Sequence, residues 1–220
     1  MNYQKLVNYL FEIRDEEYSK FTKKLLNSDL NCIGVRSPII KRLVKELSID
    51  NELELKDFKL KEYLEIDLIY FGVSLLRIKT IDEQLSFLRK NIKYADSWAV
   101  TDSIPHYLKK CTFEKYRDFF LKTYQSKRIY ERRFAYIYGL KFYQNSGVLS
   151  LFELFSLHDE YMVMMGEAWL LATIAIKYEN EVYEFLKNID DDKLKRKTIS
   201  KIAESYRISE ETKEKFKSLR

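Results

Sequence analysis

The chain has 220 residues, 46% hydrophobic and 33% charged, a balance that excludes a disordered polymer and suits one or two globular domains. Its 5 glycines and 2 prolines are too few for the many tight turns of a barrel or sandwich. Lys and Arg exceed Asp and Glu by 39 to 34, a net +5 that does not by itself define an anionic partner.

No apolar run approaches the ~18–20 residues that span a bilayer, and Met1–Leu10 reads as too polar for a signal peptide. Cys32 and Cys111 form no CxxC pair, so the expectation is a reducing compartment without a disulfide scaffold or a zinc site. Basic residues gather at Lys20–Lys24, Lys109–Lys110, Lys127–Arg133 and Lys193–Lys201. Such clusters are either solvated helix faces or a surface that neutralises phosphates.

Taken in chain order, apolar residues recur at three and four positions almost throughout, as in Leu85, Leu88, Ile92 and in Phe113, Tyr116, Phe120, Tyr124. This spacing predicts amphipathic helices over 3–13, 15–27, 38–47, 57–78 with a break near Gly72, 81–92 and 97–109. It continues with 113–125, 129–143, 148–156, 160–177, 180–188, 192–205 and 209–219. Ser37 before Pro38 marks one N-cap, and Thr80 or Asp82, Thr112, Asp190–Asp192 and Ser209 mark others. Starts at 81, 113, 148 and 180 are 32, 35 and 32 residues apart, each interval holding two helices. A period of that size built from helix pairs predicts an all-α fold, an α-α superhelix of HEAT-like repeats forming one domain over 1–220.

Three unusual residues fall at nearly one phase of this period: Trp98, Arg133 and Trp169, separated by 35 and 36 residues. Equivalent positions on stacked repeats line one concave wall. Asp102, four residues after Trp98, shares its helix face. Taken singly, each tryptophan has a core reading, Asp102 with Ser103 reads as a local cap before Pro105, and one of Arg132 and Arg133 is expected at the surface.

Asp96-Ser97-Trp98-Ala99-Val100-Thr101-Asp102-Ser103-Ile104 resembles the Ser-Trp…Asp-Ser-Ile segment of the AlkD-like family of bacterial DNA alkylation repair proteins. Arg132-Arg133-Phe134-Ala135-Tyr136-Ile137 is similar to that family's Arg-x-Ala-Ile helix, and Glu167-Ala168-Trp169-Leu170-Leu171 to its Gly-Trp-Val-Leu helix. Ile33-Gly34-Val35-Arg36-Ser37-Pro38 is similar to a Gly-x-x-Thr-Pro turn, and Glu204-Ser205-Tyr206-Arg207 to the segment before the last helix. The resemblance implies a monomeric, cytoplasmic, nucleoid-associated DNA glycosylase that needs no cofactor and excises cationic N3- and N7-alkylated purines from double-stranded DNA. It further implies that Asp102 stabilises an oxocarbenium-like sugar flanked by Trp98 and Trp169, while Arg133 holds a phosphate.

The basic residues expected on DNA are Arg132, Arg128, Lys127, Lys109, Lys110, Arg36, Lys195 and Arg196. In this family the lesion is engaged through the backbone, without a snug base pocket. Four features depart from the pattern: the helix after Trp169 is apolar where an active member carries an arginine, Met162-Val163-Met164-Met165 before it is likewise uncharged, Glu167 would repel phosphate if it faced the groove, and Asp15–Phe21 differs from the helix that helps grip duplex DNA. The alternative is a non-catalytic relative that binds bent or branched DNA, and a protein-binding solenoid is a third reading. His106 and His158 are isolated, Asp190–Asp192 lacks the rest of a calcium loop, and no phosphate-binding glycine motif occurs, so no metal or nucleotide is expected.

Overall fold

A computed structural model describes residues 1–26, 28–157 and 159–219. Asn27, the closing residue of the helix expected over 15–27, and His158 lie outside the described residues. The described residues are all-α, with twelve α-helices, short 3-10 turns and no strand beyond one bridge between Asn31 and Tyr63. They form two compact units, Met1–Cys111 and Thr112–Arg220. No described helix is long and apolar enough to cross a membrane.

The first unit holds α1 (Tyr3–Glu12), α2 (Glu16–Leu26), α3 (Ser37–Ser48), α4 (Leu64–Arg77), α5 (Ile81–Asn91) and α6 (Trp98–Ser103). Helix α3 packs along α4, and α4 along α6, around Leu6, Leu10, Val44, Ile66, Ile69 and Val73. The helix starts are written in side-chain acceptors. Thr80 and Glu83 form a reciprocal capping box on α5. Ser97 caps α6 by accepting from the Val100 N–H at 3.3 Å.

Three expectations shift here. The N-cap of α3 is Arg36, not Ser37; its carbonyl takes the Ile40 N–H at 3.2 Å while its side chain turns away to Asp15. The helix expected from 57 begins only at Leu64. Lys61 adopts φ 66°, outside the right-handed region, and its N–H is held by Asp67 Oδ1 at 3.0 Å. Nor is α4 broken at Gly72. The glycine lets α3 come close, since a Cβ there would lie 2.6 Å from a Val44 methyl.

The second unit holds α7 (Phe113–Thr123), α8 (Ile129–Gly139), α9 (Tyr161–Ile174), α10 (Glu179–Asn188), α11 (Asp192–Glu204) and α12 (Glu210–Lys217). Helix α8 packs between α7 and α9, and α9 also meets α11. Its core is aromatic: Tyr116, Phe119, Phe120, Phe134, Tyr136 and Tyr138 are fully buried. The Tyr116 ring stacks on Phe142 at 4.6 Å, and its hydroxyl donates to the Ala135 carbonyl at 3.1 Å, so the buried phenol is satisfied. Thr112, Asp191 and Ser209 cap α7, α11 and α12.

The segment expected as a helix over 148–156 is a 3-10 run, Ser146–Leu154, opened by Asn145 accepting from the Gly147 N–H at 2.8 Å. Paired elements now start at Ile81, Phe113, Ser146 and Glu179, spaced by 32, 33 and 33 residues. That spacing is more regular than the sequence pattern alone.

Gln84 has no place in an apolar stripe, yet it is fully buried. Its amide donates to the Leu75 carbonyl at 2.7 Å and to the Tyr107 carbonyl at 3.1 Å, and it accepts from the Lys109 N–H at 2.9 Å. It thus fastens the end of α4 to the turn that follows α6. Gln84→Leu keeps the volume but strands these backbone groups, at ~1–3 kcal/mol for each that water cannot reach. The expected outcome is a loss of about 2–4 kcal/mol, seen as a lower urea midpoint with unchanged helical circular dichroism at zero urea.

Candidate nucleic-acid interface

Trp98 opens α6, and Asp102 stands one turn later on the same helix, both half-buried. The Trp98 indole N–H donates to the Leu25 carbonyl in the last turn of α2 at 2.9 Å. That bond fixes the ring's edge and satisfies one of the carbonyls a helix C-terminus leaves open. The Thr101 hydroxyl lies 3.1 Å from the Trp98 carbonyl and 3.3 Å from Asp102 Oδ1, bracing the helix turn that carries both. Ser103 donates to the Val100 carbonyl at 2.8 Å, and the chain then tightens into the 3-10 turn Ile104–Tyr107 at Pro105.

Beside Trp98, a pocket of about 170 Å³ opens between α2, α3, α4 and α6. One wall is Glu65, an acid that no sequence pattern singles out and that is 1% exposed. Its carboxylate accepts from the N–H groups of Ile33 at 2.9 Å, Gly34 at 2.8 Å and Val35 at 3.1 Å. Gly34 makes this possible by taking φ 104°. Against the same carboxylate, burial pushes the Cys32 thiol up to about 12, so this cysteine is not a thiolate nucleophile.

In the second unit, Arg133 lies on α8 and Trp169 on α9. Nine of the 14 residues of α9 are buried, among them both neighbours of Trp169, yet Trp169 is 43% exposed. The expectation that one of Arg132 and Arg133 is a surface charge fails: both are 6% exposed. Arg132 donates to the Ser126 carbonyl at 2.5 Å and pairs with the Glu160 carboxylate. Arg133 donates to the Met162 carbonyl at 2.8 Å, tying the first turn of α9 to α8. Its guanidinium therefore serves the fold.

Glu167 does not face a groove either. It is fully buried, and neither carboxyl oxygen makes a hydrogen bond of good geometry. The adjacent Tyr136 hydroxyl donates instead to the Leu154 carbonyl at 2.8 Å. Burial pushes Glu167 up to about 7, against partial relief from Tyr136, and being fully buried it does not present a carboxylate to a groove.

Of the remaining basic residues, Lys109, Lys110, Lys127 and Arg196 are exposed. Arg36 is exposed but paired with Asp15 at 2.6 Å, with its guanidinium 4.9 Å from the Tyr18 ring centre. Arg128 pairs with Glu131 at 3.3 Å. Lys195 is half-buried, 3.9 Å from Asp192. Among the described residues no three His, Cys, Asp or Glu side chains gather as a metal site, and His106 is exposed in the 3-10 turn after α6.

A DNA alkylation repair enzyme family model matches residues 6–206, nearly the whole chain. The protein therefore belongs to the DNA alkylation repair enzyme family, of the AlkD-like kind. No curated protein matches it.

Glu167 gives a pH signature with a definite sign. Between its usual 4.5 and about 7, the folded chain holds a proton that the unfolded chain has released. This contribution to stability is complete below about 4.5, falls as pH rises, and is gone above about 7. Glu167→Gln flattens that part of the profile and raises stability at pH 8 by on the order of 1–3 kcal/mol, measured by urea unfolding across the pH range.

Proposed function

We propose that this protein is a monofunctional DNA glycosylase that removes cationic N3- or N7-alkylated purines from double-stranded DNA. Trp169 carries the reading. A large indole held at the surface of a mostly buried helix, between the buried Ala168 and Leu170, suits a ligand platform. Family membership supports DNA repair as the setting.

The positive charge of the lesion already makes the base a good leaving group, so no strong acid is required. As the N-glycosidic bond breaks, the sugar gains positive charge. Asp102, as a carboxylate, stabilises that charge and orients the water that attacks C1′. The electron-rich indole faces of Trp98 and Trp169 favour a sugar in that state.

Arg133 positions α9 through Met162 and, in the proposed complex, meets a phosphate. Lys109, Lys110, Lys127 and Arg196 neutralise the backbone further out, with Arg36, Arg128 and Lys195 joining after exchange of their intramolecular partners. Arg132 is left in its structural ion pair.

The test is release of 7-methylguanine and 3-methyladenine from alkylated duplex DNA, followed by chromatography of the freed bases. The native protein releases base. Asp102→Asn slows release by about 10²–10³-fold, the scale of removing one electrostatic partner of the transition state, with DNA affinity little changed. Salt-dependent binding without any release would replace this reading with the non-catalytic DNA-binding one.

A second measurement addresses the basic surface. Replacing Lys110 or Lys127 with Ala lowers the steepness of log affinity against log salt by about 0.9 for each phosphate that the lysine had neutralised. An unchanged slope removes that lysine from the interface.

A further inference from the structure

We infer that Tyr161 and Lys197 form a clamp for one backbone phosphate of the bound duplex, set to one side of Trp169 along α9. The inference rests on the proposed glycosylase reading, adds two residues to its DNA contacts, and lies wholly within the second unit.

Helix α9 has a solvent face of its own. Tyr161, Met165 and Trp169 recur every four residues, so they stand along one side of the helix. Tyr161 and Trp169 are both exposed, and Met165 between them is half-buried. Eight residues at the helical rise put the two rings about 12 Å apart along the axis. At ~3.4 Å per base step, that is a reach of about three to four nucleotides along a strand.

Helix α11, which packs on α9, supplies the charge. The Lys197 ammonium lies 5.6 Å from the centre of the Tyr161 ring, a cation–π contact that fixes where the charge sits. Among the described residues Lys197 makes no ion pair, and the Tyr161 hydroxyl has no hydrogen-bond partner. An ammonium and a phenol O–H both donate to anionic oxygens, so side by side they match two oxygens of a single phosphate. Membership of a DNA repair family selects a phosphate over a protein carboxylate as the acceptor.

The surroundings agree with this assignment. Lys193, one turn earlier on α11, and Arg196 are exposed. Of the acids just before Tyr161, Glu160 is paired with Arg132, and Asp159 stands exposed ahead of the helix. Lys195 must first leave Asp192, 3.9 Å away, whereas Lys197 needs no exchange of partners. Contact at the backbone also matches the mode of engagement that the family resemblance implies.

The test is equilibrium binding of the full-length protein to a duplex holding a tetrahydrofuran abasic site, followed by fluorescence anisotropy across a salt series. Lys197→Gln removes one charge and lowers the slope of log affinity against log salt by about 0.9. Tyr161→Phe keeps the ring that places Lys197 and removes only the hydroxyl. Its affinity falls about tenfold with the slope unchanged, because a neutral donor releases no counterion. A neutral methylphosphonate walked along each strand then locates the phosphate. At one position, within about four steps of the abasic site, it weakens the native protein and leaves Lys197→Gln unaffected. Both side chains reach solvent, and helical circular dichroism checks that each variant folds.

An unchanged slope for Lys197→Gln or an unchanged affinity for Tyr161→Phe overturns the clamp. So does a scan in which Lys197→Gln responds wherever the native protein does. Base release from alkylated DNA by the native protein, alongside such a result, leaves the glycosylase reading standing. Clamp effects in a protein that releases no base keep the clamp and pass this surface to the non-catalytic DNA-binding reading.

Discussion

Three successive backbone N–H groups, those of Ile33, Gly34 and Val35, lie in the turn between α2 and α3 with no helix or sheet to receive them. Glu65 supplies the acceptor from the first turn of α4. A carboxylate bound by several amides is a strong, directional anchor, whereas the same N–H groups left dry would each cost ~1–3 kcal/mol. The anchor sets where α2 ends and α3 begins. That in turn decides where the Leu25 carbonyl meets Trp98 and where Tyr18 and Ser37 enter the pocket. The arrangement around the candidate tryptophan therefore depends on an acid that takes part in no proposed chemistry.

The same logic recurs with other polar side chains. Arg77, in the last turn of α4, donates to the carbonyls of Leu53 at 2.9 Å, Leu47 at 3.1 Å and Asp50 at 2.5 Å, closing the frayed end of α3. Gln84 does the equivalent for the turn after α6. Helices this short gain little from their own backbone bonds, so their ends must be held by neighbours. Side chains that reach between elements provide that hold in the first unit. In the second, stacked and edge-on aromatic rings do more of it, as with Tyr116, Tyr138 and Phe142.

Periodicity makes most helices readable, and local caps at Thr80, Thr112, Asp191 and Ser209 make their starts readable, because both signals are encoded within a few residues. Buried polar residues are not readable in this way. In Leu64-Glu65-Ile66-Asp67, the alternating acids look like a solvated helix start, yet Glu65 and Asp67 are both buried. Burial pushes Asp67 up to about 7, and its one bonded oxygen serves the left-handed Lys61 that delays α4. Arg132 and Arg133 mislead for the same reason. Their acceptors, Ser126, Glu160 and Met162, become neighbours only after the chain folds, so charge in the sequence reads as surface. The tryptophans and Asp102 stand out through spacing and family likeness; the pocket, built from four helices, has no local trace.

The two tryptophans differ physically in a way their matched phase conceals. Trp98 has its N–H satisfied on Leu25, so its ring is held by a hydrogen bond as well as by packing. Trp169 stands out from α9 with 43% of its surface in solvent. A fixed ring loses little freedom when it meets a ligand and can discriminate by shape; an exposed ring is ordered at some entropic cost but gains by shedding water from its face. For a sugar developing positive charge, the quadrupole attraction is worth ~0.5–1 kcal/mol at an exposed ring and about 2 or more where water is displaced. The greater electrostatic return thus comes from whichever indole the substrate dehydrates more completely. Trp98, already half-withdrawn from solvent beside an apolar pocket, begins nearer that limit, and in the proposed complex Trp169 reaches it only when DNA covers it.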